Sequence, residues 1–116
     1  MIKNLYHYNA HVTKVYDGDT ITVDIDLGLG ICKKKERIRL FGINTPEIRG
    51  GTDETKAKGI AARDALRVWI LHKRIVLKTI KDKEGKYGRL LGVIYFDDTN
   101  INDLLIKEGH AVEYMK

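Results

Sequence analysis

Residues 20–27 alternate without a break: Ile21, Val23, Ile25 and Leu27 are apolar, while Thr20, Thr22, Asp24 and Asp26 are polar. A period of two gives a strand with one buried and one solvated face. Such a strand must belong to a sheet that covers a core on one side only. Its neighbours in sequence extend that sheet. Residues 11–17 form a strand carrying Val12 and Val15, and residues 37–41 return with Ile38 and Leu40 on one face and Arg37, Arg39 and Phe41 on the other. Between them, Gly28-Leu29-Gly30 and the run Lys33-Lys34-Lys35 predict a turn or longer hairpin loop.

The period then changes. Ala57, Ile60, Ala61, Ala65, Val68, Trp69 and His72 fall at helical spacing, which predicts a helix over 54–72 with this stripe on the core and Thr52 or Asp53 as its N-cap. Residues 75–80 and 89–96 read as two more strands, joined by the polar loop 81–88. Asp97-Asp98-Thr99-Asn100 is a turn that caps a short helix from Ile101 to Glu108, closed by Gly109. Three strands, a helix, two strands and a helix is the order of an OB-fold five-stranded barrel, a mainly β (α+β) class. A small α+β sheet that does not close is the structural alternative.

With 116 residues and no linker or repeat, one domain spanning 1–116 is expected. Hydrophobic residues make up 43% and charged residues 32%, values of a folded chain rather than a disordered one. No apolar run approaches the roughly 18 residues a membrane span needs. The start, Met1 to Tyr6, lacks the apolar core of a signal peptide, so a cytoplasmic location is expected. Cys32 is the only cysteine, so it has no partner for an internal disulfide and reads as a small, semi-buried residue near a hairpin. The formal net charge of +5 favours an anionic partner, nucleic acid being the commonest.

Three segments carry residues suited to phosphate chemistry: Asp17-Gly18-Asp19-Thr20, Arg39 to Glu47 around the only proline, Pro46, and Tyr87-Gly88-Arg89. Phosphodiester hydrolysis needs charge neutralised on phosphate oxygens, a water activated or positioned, and growing transition-state charge stabilised. Arg39 and Arg89 suit the first and last tasks, because a planar guanidinium makes paired hydrogen bonds to phosphate. Glu47 suits the second. Asp19 and Asp17 suit a hard cation that takes oxygen ligands, and the Thr45 carbonyl, aimed by Pro46, adds another. Each piece has a plain alternative: a solvated strand arginine, an Asp-Gly turn, a hairpin end, a helix-initiating glutamate. Their joint occurrence in this order is what points to a site.

Val15-Tyr-Asp-Gly-Asp-Thr20, Arg39-Leu-Phe-Gly-Ile-Asn-Thr-Pro-Glu47 and Lys86-Tyr-Gly-Arg89 resemble the signature segments of staphylococcal (thermonuclease-type) nuclease domains, and Ile101 to Gly109 resembles the family's second helix with its glycine stop. The resemblance covers roughly residues 11 to 114. It implies a five-stranded OB barrel that cleaves DNA and RNA with calcium, leaving 3′-phosphates. It implies phosphate-binding arginines at Arg39 and Arg89, a general-base or water-positioning glutamate at Glu47, a calcium aspartate at Asp19, a carbonyl ligand at Thr45 and an assisting acid at Asp17. Tyr87 takes the place of a tyrosine beside the nucleotide; Tyr114 matches a second one across a small gap. The family's second calcium aspartate is Asn44 here, which keeps an oxygen but removes a charge, so weaker calcium binding or another divalent cation is expected. Prototypical members also continue into a third helix beyond the position of Lys116.

The expected function is therefore a metal-dependent nuclease acting on single-stranded DNA, with RNA as a further substrate. The alternatives are a catalytically weak or inactive nucleic-acid-binding module of the same fold, and a protein-interaction barrel. His7, His11, His72 and His110 show no zinc-like spacing. Trp69 reads as core, and Tyr6, Tyr8 and Tyr16 as strand packing or base stacking. Lys33–Lys35 reads as a solvated loop or a contact to the nucleic-acid backbone.

Overall fold

The alternating segment sits at the centre of a closed barrel. The computed structural model describes residues 6–84 and 90–114, with backbone alone for 81–84. Its elements are β1 (His7–Asp17), β2 (Thr20–Gly28), β3 (Ile31–Leu40), β4 (Ile43–Asn44), α1 (Asp53–Ile70), β5 (Arg74–Glu84), β6 (Leu90–Phe96), β7 (Thr99–Asn100), α2 (Ile101–Lys107) and β8 (Val112–Glu113). The main sheet runs β3-β2-β1-β5-β6-β7, and β3 also pairs with β6. That last pairing is parallel, Ile38↔Leu90, Arg39↔Leu91 and Leu40↔Gly92, and it closes five strands into a barrel. The unclosed sheet is thereby excluded and the OB architecture stands.

The barrel interior is filled by the inward positions of every strand. Val12, Ile21, Val23, Ile38, Leu77 and Ile94 are all fully buried. Val12 and Val15 are three apart, which a regular strand would place on opposite faces. The β1–β2 register shifts between Val12 and Lys14, and again between Val15 and Asp17, and these bulges bring both valines inside. Leu27 breaks the expected pattern, being 47% exposed, because β2 has left the barrel by that point. Its pairing with β1 ends at Ala10↔Ile25, while β3 begins at Ile31 rather than after the lysine run. Lys33–Lys35 thus lie in a strand rather than in a loop, and Cys32, on the same projecting ribbon, is exposed rather than semi-buried. Likewise 81–84 continue β5 instead of opening the loop.

Helix α1 is capped by Thr52, whose Oγ1 accepts the Thr55 amide at 3.1 Å. Its buried face is Gly59, Ala62, Leu66 and Ile70, not the predicted stripe. Ala57, Ile60, Ala61 and Val68 face solvent, and Trp69 only borders the core. Gly59 and Ala62 on this face allow close approach of the helix to the rest of the chain, and Leu66 and Ile70 fill the core further along. His72 follows the helix, exposed, and its amide donates to the Val12 carbonyl. No helix among the described residues is long and apolar enough to cross a membrane.

Helix α2 is capped by Asn100, which accepts the Asp103 amide at 3.0 Å. Its next residue but one, Asn102, is 3% exposed and locks the helix to the barrel. Asn102 Oδ1 accepts the Ile94 amide (3.1 Å), and its Nδ2 donates to the carbonyls of Phe41 (2.9 Å) and Gly92 (3.2 Å). One side chain thus joins α2, β6 and the chain just past β3. Removing it orphans the Ile94 amide and the Phe41 carbonyl, each costing about 1–3 kcal/mol if left unsatisfied, while the Gly92 carbonyl keeps the Phe41 amide. Asn102→Ala is expected to lower the unfolding free energy by about 2–4 kcal/mol in urea titration, with the m-value unchanged.

Candidate nuclease-type site

The tight turn between β1 and β2 presents Asp17, Gly18 and Asp19 at the end of the barrel where β3 finishes. Asp17 Oδ1 accepts the Asp19 amide at 3.0 Å, an Asx turn that aims the Asp19 side chain across the strand end. Asp19 is 8% exposed. Its Oδ2 accepts the Thr45 amide at 3.2 Å and lies 3.4 Å from Arg39 Nη2. Its Oδ1 accepts the Thr20 hydroxyl at 3.3 Å. Its own carbonyl accepts the Leu40 amide at 2.8 Å.

Arg39 lies on the outward face of β3, register-paired with Thr20. Besides the pair with Asp19, its Nη1 donates to the Leu40 carbonyl at 2.8 Å and its Nη2 to Asn44 Oδ1 at 3.4 Å. The guanidinium is thereby oriented by three oxygens before any ligand arrives. Asn44 is exposed and Thr45 is buried. Asp17, Asp19, Arg39, Asn44 and Thr45 therefore form one contiguous group, although they come from the β1–β2 turn, β3, β4 and the residue just after it.

Glu47 is exposed, two residues beyond Thr45. Its backbone is fixed from behind. A Cβ added to Gly59 of α1 would lie 2.6 Å from the Pro46 carbonyl oxygen and 3.1 Å from that of Glu47. One helical turn on, a Cβ at Gly18 would meet the Ala62 Cβ at 2.8 Å and Thr45 Cγ2 at 2.9 Å. Gly18, Gly59 and Ala62 thus let α1 press both site loops together at backbone distance. The sequence reading overlooked them. The available signal was a glycine inside a helix, which is disfavoured by about 1 kcal/mol relative to alanine and needs a packing reason.

The short β4–β8 sheet brings the chain end to the same place: Asn44 pairs with Val112, and the Tyr114 amide donates to the Gly42 carbonyl at 2.8 Å. Tyr114 is 46% exposed beside the loop that leads to Asn44. Tyr87 and Arg89 lie outside the described residues. Leu90, next in sequence, pairs with Ile38 on β3.

Two carboxylates this close repel each other. Burial first, then the hydrogen bond and negative charge of Asp19, push Asp17 up from its ordinary 3.8 to about 6; the Asp19 amide and Arg39 only partly offset this. Among the described residues no three His, Cys, Asp or Glu side chains gather into a metal cluster. The donor set here is two carboxylates with amide and hydroxyl oxygens. It fits a hard cation that completes its shell with substrate oxygens, and does not fit zinc.

The family model for the staphylococcal nuclease homologue matches residues 37–116. The chain belongs to this family. Thermonuclease of Staphylococcus intermedius is 34% identical over 100 residues, covering 86% of this chain and 56% of the relative. Endonuclease YncB of Bacillus subtilis is 30% identical over 104 residues, covering 89% and 46%. An uncharacterized endonuclease of Haemophilus influenzae is 32% identical over 105 residues, covering 90% and 52%. The chain spans about half the length of these relatives. Within the family match, Arg39 to Glu47 forms one wall of the site; the Asp17–Asp19 turn, which lies before it, forms the other.

The Asp17 shift has a consequence for stability. The folded state holds the Asp17 proton more tightly than the unfolded chain, so this contribution is fully present below about pH 3.8 and is lost as pH rises through about 6. Asp17→Asn is expected to flatten the fall in melting temperature over that window and to melt above the wild type at pH 7, as read by circular dichroism.

Proposed function

We propose that this chain is a phosphodiester-hydrolysing nuclease domain that acts on nucleic acid with a divalent cation. The observation that carries this reading is the Asp19–Arg39 pair. It holds a guanidinium, already hydrogen-bonded and oriented, beside an acidic turn. A purely structural ion pair has no need of an exposed glutamate two residues beyond Thr45, its backbone held against α1 at Gly59. The nuclease names of the relatives point the same way.

In the proposed reaction Arg39 binds non-bridging phosphate oxygens, exchanging part of its contact with Asn44 and Asp19 for the ligand. Arg89 is assigned the second set of contacts. Glu47 accepts a proton from water as the water oxygen bonds to phosphorus, and the bond from phosphorus to the 5′-oxygen breaks in line, that oxygen taking a proton from solvent. Arg39 and Arg89 stabilise the charge that grows on the phosphoryl oxygens. Asp19, Asn44 and Thr45, with Asp17 nearby, are assigned to hold the cation. When bound, it supplies Lewis-acid stabilisation of the phosphate and offsets the Asp17–Asp19 repulsion. With Asn44 in place of a third acid, magnesium and manganese compete with calcium for this role. Tyr87 and Tyr114 are assigned to the nucleotide beside the scissile bond. Single-stranded DNA is the proposed substrate, with RNA second.

Cleavage of a labelled single-stranded oligonucleotide, measured across calcium, magnesium, manganese and chelator, tests the reading. Activity is expected with at least one cation and none with chelator. Glu47→Ala is expected to lower kcat by about 10²–10⁴ and Arg39→Ala by about 10²–10³. Tight binding without cleavage under every cation would assign the chain to the silent binding modules instead.

A further inference from the structure

The β2–β3 ribbon leaves the barrel after Ile25 and Lys33, and from there, among the described residues, each strand has only the other as partner in the sheet. Its end is apolar and solvated: Leu29 is 98% exposed and Ile31 is 56% exposed. Leu29 also has φ +56, between Gly28 and Gly30 at φ +81 and +76. An L side chain rarely adopts this conformation, and here a large apolar one does so fully in water. Among the described residues, neither packing nor hydrogen bonding accounts for leucine at that position.

The edge leading to the tip is basic. Between Arg39 and the tip, β3 carries Arg37, Lys35, Lys34 and Lys33, interrupted by Ile38 and Glu36. A bulge displays the lysines. The register passes from Val23↔Glu36 to Ile25↔Lys33, so β3 holds one residue more than β2. Lys35 takes that strain at φ +59, its amide donating to Asp24 Oδ1 at 3.0 Å. All three lysines are exposed. Of the nearby acids, Glu36 pairs with Lys33 at 3.4 Å, and Asp26 accepts the Gly28 amide and pairs with Arg74. The Arg37 guanidinium stacks over Tyr16, 5.0 Å from the ring centroid.

We propose that this edge and tip form a second nucleic-acid contact, a track for duplex DNA running from Arg39 along β3, with the Leu29 tip entering a groove or base step. The proposal rests on the nuclease reading only for nucleic acid as the ligand; the track takes a duplex that continues from the single strand proposed for the site. A two-stranded ribbon is of a size that the major groove admits, and apolar wedges that partly unstack base steps are a known mode of duplex binding. The cations lie in a line leading from the phosphate-binding arginine rather than in a ring about the tip, which favours a polyanionic strand over a charged lipid surface. Thr20 to Gly28 is eight steps of about 3.3 Å, so the tip stands about 26 Å from the site. At about 3.4 Å per base pair, that distance is about eight base pairs.

The test is fluorescence anisotropy in chelator, with labelled DNA duplexes of about 6 and about 16 base pairs, the lengths chosen to fall short of and beyond that span. The variants are Lys33→Ala/Lys34→Ala/Lys35→Ala, Leu29→Ser and Leu29→Gly. The triple variant is expected to bind the longer duplex about tenfold or more weakly, with the salt slope reduced by about 2–3. Both Leu29 variants are expected to weaken the longer duplex by about threefold or more. Leu29→Gly also relieves the backbone, so its loss cannot be a folding defect. Binding of the shorter duplex stays unchanged throughout. Equal affinity of wild type and variants for the longer duplex overturns the proposal, as does equal loss on both lengths. So does no duplex binding by the wild type, or a Leu29 effect confined to phosphatidylglycerol vesicles. Length-dependent duplex binding by a wild type that cleaves nothing with any cation would sustain the track and sink the nuclease reading; cleavage with no such dependence would do the reverse.

Discussion

The Asp19 carboxylate is a nearly buried charge, and a buried charge persists only with partners around it. Its partners are the site. Thr45 gives an amide, Arg39 a guanidinium and Thr20 a hydroxyl, so one carboxylate draws together the β1–β2 turn, the end of β3 and the loop before Glu47. Breaking it would leave Arg39 without its ionic partner and Thr45 with a buried, unpaired amide. The same residue that is assigned to the cation is thus the one that assembles the wall.

The barrel makes this convergence possible. The parallel β3–β6 pairing sets Ile38 to Leu40 in register with Leu90 to Gly92, which fixes the height at which Arg39 leaves the sheet. Asn102 then holds the Phe41 and Gly92 carbonyls, so the chain departs from β3 in one direction only. From the other side, Gly18, Gly59 and Ala62 bring α1 to backbone contact with the turn and with Glu47. The site is exposed chemistry on a frame that is rigid for ordinary packing reasons.

Much of this was legible in the residues. The alternation of 20–27, the switch to helical period and the Asn100 cap set the element order, and five of the site residues assigned from sequence do meet in space. Where the reading failed, a tertiary cause was at work. On α1 the stripe with Ile60 and Val68 faces solvent, because the barrel takes the face of Gly59, Ala62, Leu66 and Ile70, whose two small residues let the helix reach the site loops. Leu27 fits the alternation, but the strand had already left the barrel. Lys33–Lys35 look like a loop because a bulge, invisible to periodicity, sits among them. The pairing of Asp19 with the Thr45 amide spans 26 residues and leaves no local trace.

The claim that Asp19 assembles the site is tested most directly by hydrogen exchange at the Thr45 amide, read by NMR in the wild type and in Asp19→Ala. Loss of protection at Thr45, with shifts moving across Arg39 to Glu47 and the Leu77 amide in the barrel still protected, is the predicted result. A Thr45 amide equally protected in both proteins would contradict it.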